Sequence, residues 1–119
     1  MQTHRDLKLY QISMELVTEI YEVTEKFPKE ELFGLTSQIR RAAISIPSNI
    51  AEGAGRLSQK EFRNFLSIAN GSATELETQF TVALNLKFIS KIQFESIIEK
   101  IVSIHKLCFG LIKKINAKN

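Results

Sequence analysis

Two side chains that commonly bind metal ions lie close together near the end of this 119-residue sequence. His105 and Cys108 are three residues apart, so on a helix both would face one side and could ligate one metal ion. A structural zinc site usually has four ligands, and the sequence contains no second Cys/His pair. We therefore interpret the two as a partly buried histidine beside a core thiol.

Three glutamates could form a carboxylate metal site instead. Glu15, Glu19 and Glu22 are spaced so that a helix would bring them close together. Di-iron bundles also use Glu-x-x-His pairs on facing helices, and this sequence has none. A solvated acidic face is the favoured interpretation. We therefore expect no catalytic residues, no metal, no cofactor and no enzymatic activity.

Basic side chains near the middle of the chain are the candidates for a binding site. Two interpretations of them stay open: they bind the phosphates of a nucleic acid, or they form ion pairs within or between subunits. The residues alone favour ion pairs, since five cations with partners nearby make a weak electrostatic footprint. The five candidates are Arg40, Arg41, Arg56, Lys60 and Arg63.

The overall composition is that of an ordinary globular protein, with 44% hydrophobic and 24% charged residues. No apolar stretch approaches the roughly 20 residues of a membrane-spanning helix, and the polar N-terminus is unlike a signal peptide. One cysteine suits a reducing compartment. We expect a cytoplasmic protein with no membrane partner.

Charge is distributed unevenly along the chain, although the net charge is only +3. Glutamates are concentrated in residues 15–25, whereas lysines are concentrated in residues 106–118. We therefore expect an acidic side of the molecule and basic regions elsewhere, which permits contact with a phosphate backbone.

Hydrophobic periodicity predicts an all-α fold, with one domain spanning residues 1–119. The connections between the periodic segments are short, so neighbouring helices should be antiparallel, as in an up-down four-helix bundle. Pro47 lies inside the second segment and is expected to kink that helix. The predicted helices are about 9–26, 29–54, 59–86 and 91–115.

Two capping boxes mark the expected starts of the third and fourth helices. The first is Ser58 to Glu61, and the second is Ser90 to Gln93. Each is flanked by two apolar residues at the positions of a hydrophobic staple. Those pairs are Leu57 with Phe62, and Ile89 with Phe94.

A long motif in the second and third segments resembles a known family. Residues 34–43 (GLTSQIRRAA) lead into residues 45–53 (SIPSNIAEG), with Phe27-Pro28 before them. Glu61-Phe62, Gly71-Ser72 and Glu75-Leu76 follow. The chain thereby resembles the bundle proteins encoded in intervening sequences of bacterial large-subunit ribosomal RNA genes, the ribosomal RNA intervening-sequence protein family.

The resemblance implies an architecture and a set of partners. Several proteins of this family assemble as ring-shaped pentamers. The family is also similar to the accessory protein of diversity-generating retroelements, a basic pentamer that binds nucleic acid and a reverse transcriptase. A homo-oligomer, RNA or DNA, and a reverse transcriptase are therefore the partners that the resemblance implies.

Charge and resemblance together predict a non-enzymatic, homo-oligomeric bundle that binds structured RNA through the five basic residues. The alternative is a protein–protein interaction scaffold with no nucleic-acid role, in which the arginines pair with acidic residues across subunits. In that alternative, Arg41→Glu would dissociate the oligomer.

Overall fold

Four α-helices account for most of the chain in the computed structural model, which describes residues 3–118 apart from the side chain of Asp6. Short 3-10 turns, His4–Asp6 and Lys29–Glu31, precede the first and second helices. The described residues include no β-strand, which confirms the all-α prediction. The helices are α1 (Lys8–Thr24), α2 (Leu35–Ala54), α3 (Gln59–Asn85) and α4 (Lys91–Ala117).

Each helix packs against two others, so the four form a square in cross-section. Helix α1 contacts α2 and α4. Helix α3 lies at the diagonally opposite corner from α1 and contacts the same two helices. Side-chain contacts between α2 and α3 show opposite directions: Ser45 contacts Ser72, whereas Gly53, further along α2, approaches Phe62, earlier in α3. The bundle measures 47 × 22 × 21 Å. The predicted up-down bundle is confirmed.

The core is built from the apolar stripe of each helix. In α3 the stripe follows steps of three and four residues, and its members from Leu66 to Ala83 are fully buried. Alanines on α2 and α3 leave little side-chain volume between these two helices, so their backbones lie close together. The α2–α3 pair is therefore the part of the bundle most sensitive to added volume.

Helix α4 begins with the capping box that the sequence predicts. The Ser90 hydroxyl oxygen accepts from the Gln93 backbone N–H at 3.1 Å, and Gln93 Oε1 accepts from the Ser90 backbone N–H at 3.2 Å. Ile89 is buried and Phe94 packs against the core. These bonds satisfy backbone donors that a helix start otherwise leaves unpaired.

Helix α3 begins with only half of the predicted box. Ser58 Oγ accepts from the Glu61 backbone N–H at 3.1 Å. The Glu61 carboxylate, however, accepts from the Ser58 hydroxyl at 3.2 Å and pairs with Arg56 at 3.8 Å, so it does not reach the Ser58 backbone. The staple predicted for Leu57 and Phe62 is wrong, because Leu57 is fully exposed.

The second helix is shorter than the predicted range of 29–54. Residues 29–31 form a separate 3-10 turn, and α2 begins at Leu35. Gly34 between them has φ −116° and ψ −112°, a conformation that interrupts the helix. The Leu35 backbone N–H is satisfied by Glu31 Oε1 at 3.1 Å. Helix α2 continues through Pro47, and the kink expected there stays a prediction.

Helix α3 ends with a Schellman motif. The Phe88 backbone N–H donates to the Ala83 carbonyl at 2.9 Å, and the Lys87 N–H donates to the Leu84 carbonyl at 3.0 Å. Lys87 adopts φ 64°, the left-handed conformation that this motif requires. Phe88 then packs against Phe27, with ring centroids 5.7 Å apart, which ties the two loops at this end together.

Candidate nucleic-acid interface

The five predicted basic residues do not form one surface. Arg40 lies near the end of the bundle where α1 terminates, and Arg41 is adjacent to it on α2. Arg56, Lys60 and Arg63 lie at the opposite end, where α2 gives way to α3. At 1.5 Å per residue, the stretch of α2 between Arg40 and its last turn separates the two groups by about 20 Å.

Arg40 is engaged by the last turn of α1. Its Nε donates to Thr24 Oγ1 at 2.9 Å, and its Nη2 donates to the Tyr21 carbonyl oxygen at 3.4 Å. The guanidinium also lies over the Tyr21 ring, 4.5 Å from the centroid. A cation is favourable at the negative C-terminal end of a helix. Arg40 therefore fastens α2 to α1.

Arg41 faces away from α1. It is exposed and lines a polar groove of about 320 Å³ between α2 and α3. Ser45 and Ser72, whose hydroxyls are 2.9 Å apart, also line this groove. Glu75 completes its far side. Within residues 3–118, no ion pair involves Arg41.

The adjacent arginines should therefore differ in their effect on stability. Arg40→Ala is expected to lower the free energy of unfolding by about 1–2 kcal/mol, because it removes two charge-assisted hydrogen bonds and a cation–π contact. Arg41→Ala is the matched control and should change that free energy by less than about 0.5 kcal/mol. Urea unfolding followed by circular dichroism measures both values, and equal effects would contradict the assignment.

The group at the opposite end has weaker internal partners. Arg56 pairs with Glu52 at 3.7 Å and with Glu61 at 3.8 Å, and the three side chains are between 43% and 56% exposed. Arg63 Nη1 donates to Asn116 Oδ1 of α4 at 2.9 Å. Lys60 is exposed and has no side-chain partner in the described part of the chain. Exposed pairs of this kind contribute little to stability.

This end of the bundle also receives basic residues from two other parts of the sequence. The starts of α1 and α3 and the ends of α2 and α4 all lie here. The sequence places only Asp6, Glu52 and Glu61 as acids in residues 3–12, 50–65 and 105–118. We name this region the basic end. Its cations are Arg5, Lys8, Arg56, Lys60, Arg63, Lys106, Lys113, Lys114 and Lys118.

The opposite end and the middle of the bundle have the reverse balance, because the remaining ten acidic residues outnumber the remaining seven basic ones. The chain is thus polarised along its 47 Å axis, although its net charge is only +3. A cavity of about 420 Å³ opens at the basic end, lined in part by His4, Arg56 and Ser58. The basic end is the surface best suited to contact phosphates.

One of the three glutamates considered for a metal site has a structural role. Glu19 is largely buried between α1 and α4, where its carboxylate accepts from Ser96 at 2.8 Å and from Lys100 Nζ at 2.8 Å. Glu15 and Glu22 are exposed. Glu19 therefore joins two helices and is not part of a solvated acidic face.

His105 and Cys108 have separate surroundings. His105 Nδ1 hydrogen-bonds with Asn70 Oδ1 of α3. Cys108 is fully buried, its thiol lies 3.9 Å from the Leu66 carbonyl oxygen, and burial raises its pKa to about 11. The thiol is therefore protonated at neutral pH and is a poor nucleophile. No cluster of three or more His, Cys, Asp or Glu within residues 3–118 is arranged to hold a metal ion.

Fold and surface together define a small helical-bundle protein with one basic end. The chain belongs to the family described as 23S rRNA-intervening sequence protein, which matches residues 5–110. This membership confirms the resemblance of the central motif. Among the four helices of the described chain, none has an apolar stretch long enough to cross a membrane.

A solved relative has the same fold. It is a protein of unknown function from the S23 ribosomal protein family of Bacteroides thetaiotaomicron, whose crystal structure was determined at 1.70 Å resolution. The two are 30% identical with a TM-score of 0.82, over 88% of this chain and 95% of that one. Comparison with curated proteins gives no match. Neither the family description nor the relative's description specifies a reaction.

Proposed function

We propose that this protein is a non-enzymatic, homo-oligomeric bundle that binds structured RNA through its basic end. The observation that carries the proposal is the separation of charge along the bundle axis, with cations from three sequence segments gathered at one end. Oligomerisation, a subunit number of five and a reverse-transcriptase partner are supported by the resemblance to the family.

The chemistry of the basic end favours contact with phosphates over contact with bases. Lys60, Lys113 and Lys114 are exposed and have no side-chain partners within residues 3–118. Their ammonium groups can replace counterions on a nucleic-acid backbone, which is the main source of sequence-independent affinity. The two aromatic side chains beside Lys60 and Arg63 are occupied: the Phe65 ring centroid lies 5.1 Å from the Arg56 guanidinium carbon, and Phe62 packs against the core. A duplex recognised by shape and charge suits this surface.

A salt titration tests the proposal. A fluorescent RNA hairpin is titrated with the protein at 50 mM and 200 mM NaCl, and anisotropy reports binding. If about five phosphates are contacted, the affinity should fall by a few hundred-fold between the two salt concentrations. Absence of binding at 50 mM NaCl, or an affinity independent of salt, would contradict the proposal.

The alternative function, a protein–protein interaction scaffold, is favoured by a different observation. Met14, Tyr21 and Ile44 are apolar side chains that are between 37% and 44% exposed along one side of the bundle. In this alternative the oligomer forms and the basic end plays no part. Light-scattering mass of the protein with and without the hairpin separates the two, since only the RNA-binding function predicts a complex with increased mass.

A further inference from the structure

The starts of α3 and α4 have the same four-residue pattern but use it differently. At α4 a single oxygen, Gln93 Oε1, accepts from both the backbone N–H and the hydroxyl of Ser90, each at 3.2 Å. At α3 the Glu61 carboxylate accepts only from the Ser58 hydroxyl, also at 3.2 Å. The Ser58 backbone N–H has no acceptor in the described part of the chain. Glu61 therefore has a second position within reach, the one that Gln93 takes at α4.

An arginine holds Glu61 in its present position. Arg56 Nη1 lies 3.8 Å from Glu61 Oε1, and both side chains are nearly half exposed. An exposed ion pair of this length contributes little to stability. A hydrogen bond from a backbone N–H to a carboxylate at a helix start is charge-assisted and at least as favourable. The two positions of Glu61 are therefore close in free energy, and a change at Arg56 can move the carboxylate from one to the other.

Arg56 is oriented for contact with a phosphate at the edge that Glu61 occupies. Its guanidinium carbon lies over the Phe65 ring, 5.1 Å from the centroid, and its Nη2 pairs with Glu52 at 3.7 Å. These two contacts fix the guanidinium plane and leave Nη1 to Glu61. Arg56 also lines the cavity of about 420 Å³ at the basic end, so a phosphate oxygen has room beside it. Guanidinium groups match phosphate oxygens in both charge and geometry.

A phosphate at Arg56 would also repel the Glu61 carboxylate. Like charges that share one site disfavour each other, and an exposed side chain can respond by moving. The first turn of α3 offers a position where a carboxylate is favoured, because the start of a helix is the positive end of its dipole. The acceptor-free N–H at that position belongs to Ser58. Repulsion and attraction thus direct Glu61 the same way.

We propose that Glu61 is a two-position switch that controls phosphate binding by Arg56. In the free protein it pairs with Arg56. When a phosphate of the nucleic acid binds Arg56 Nη1, Glu61 accepts from the Ser58 backbone N–H and completes the capping box. The inference rests on the proposed RNA binding and specifies its regulation. It couples binding to the order of the first turn of α3, which carries Lys60 and Arg63.

Exchange of the Ser58 amide proton with water, measured by NMR, tests the switch. Saturating RNA hairpin at 50 mM NaCl should slow this exchange by about five-fold or more in the wild-type protein, because a hydrogen-bonded amide exchanges only after its bond opens. Glu61→Ala has no carboxylate to accept the bond, so the hairpin should leave its Ser58 exchange unchanged. The Ser90 amide is the internal reference, since its box is complete already. Equal slowing in wild type and Glu61→Ala would show that RNA merely covers Ser58, which overturns the switch.

Arg56→Ala tests the same movement without any nucleic acid. Without its partner, Glu61 should complete the box, so Ser58 exchange should slow in the free variant as it does in the RNA-bound wild-type protein. Arg63→Ala is the matched control, because Arg63 bonds to Asn116 and not to Glu61. Unchanged Ser58 exchange in Arg56→Ala overturns the switch.

Affinity provides the second measurement. Glu61→Gln should bind the hairpin about 3–10-fold more tightly at 50 mM NaCl, because glutamine completes the box as Gln93 does and leaves Arg56 free for a phosphate. In an Arg56→Ala background the same substitution should give a clearly smaller gain. Equal gains in both backgrounds would mean that only net charge matters, which contradicts the switch. Absence of binding by the wild-type protein contradicts the proposed function instead, and the free Arg56→Ala protein then still decides whether Glu61 moves.

Discussion

Gly53→Ala is expected to lower the free energy of unfolding by about 2–3 kcal/mol, and Gly53→Val by more. A β-carbon at this position would lie 2.6 Å from Phe65 Cβ and 3.0 Å from Phe62 Cδ1. Phe65 Cβ is attached directly to the α3 backbone and cannot rotate away, so α2 and α3 would have to separate. Added volume in a packed contact typically lowers the free energy of unfolding by about 1–3 kcal/mol. The total free energy of unfolding of a natural domain is only about 5–15 kcal/mol.

Gly71→Ala provides the matched control for Gly53→Ala. Gly71 is exposed in α3, and nothing lies within 4 Å of a β-carbon built there. Alanine forms helix better than glycine by about 1 kcal/mol, so this variant should be stabilised. Urea unfolding should therefore move the two midpoints in opposite directions. A stabilised Gly53→Ala protein would show that α2 and α3 are not in close contact.

Periodicity predicted the helices because burial of one face dominates their stability. Periodicity does not identify buried polar residues whose hydroxyls donate to backbone carbonyl oxygens of the same helix. Ser13 and Thr24 are buried in the core face of α1, where their hydroxyls donate to the Leu9 and Ile20 carbonyl oxygens, each at 2.7 Å. These bonds offset the cost of burying a hydroxyl, so the two residues behave as core positions.

The capping prediction failed at α3 for a different reason. Ser58 and Ser90 begin the same local pattern, but only Ser58 has an arginine, Arg56, two residues before it. The Glu61 carboxylate forms an ion pair with Arg56, whereas the uncharged Gln93 side chain accepts a hydrogen bond from the Ser90 backbone N–H. The capping-box pattern therefore fails where a nearby charge, which the pattern does not include, competes for the same side chain.

Which basic residues come together depends on the order and direction of the helices, and hydrophobic periodicity does not report either one for a side chain. Arg40 and Arg41 are identical by type and adjacent in the sequence, yet the rotation of about 100° per residue turns one towards α1 and the other outward. The lysines of residues 106–118 are distant in the sequence from Lys60. They meet because the end of α4 and the start of α3 lie at the same end of an up-down bundle.

Reversing the charge of three lysines at the basic end should weaken RNA binding by about 100-fold or more at 50 mM NaCl. The variant combines Lys60→Glu, Lys113→Glu and Lys114→Glu, all at exposed positions without side-chain partners in the described chain. Each lysine that loses a phosphate contact should lower the slope of log affinity against log salt by about one. Anisotropy titrations of the hairpin over a range of salt concentrations measure both quantities.

The control variant reverses the charge of three exposed lysines at the opposite end of the bundle: Lys26→Glu, Lys29→Glu and Lys91→Glu. Both variants lower the net charge from +3 by the same amount, so a general effect of net charge would weaken binding equally in the two. Because screening limits the reach of an exposed charge to about 10 Å, lysines at the far end of a 47 Å bundle should have little influence on a duplex bound at the basic end. A large loss confined to the first variant would therefore locate the nucleic acid at the basic end, whereas equal losses would place it elsewhere.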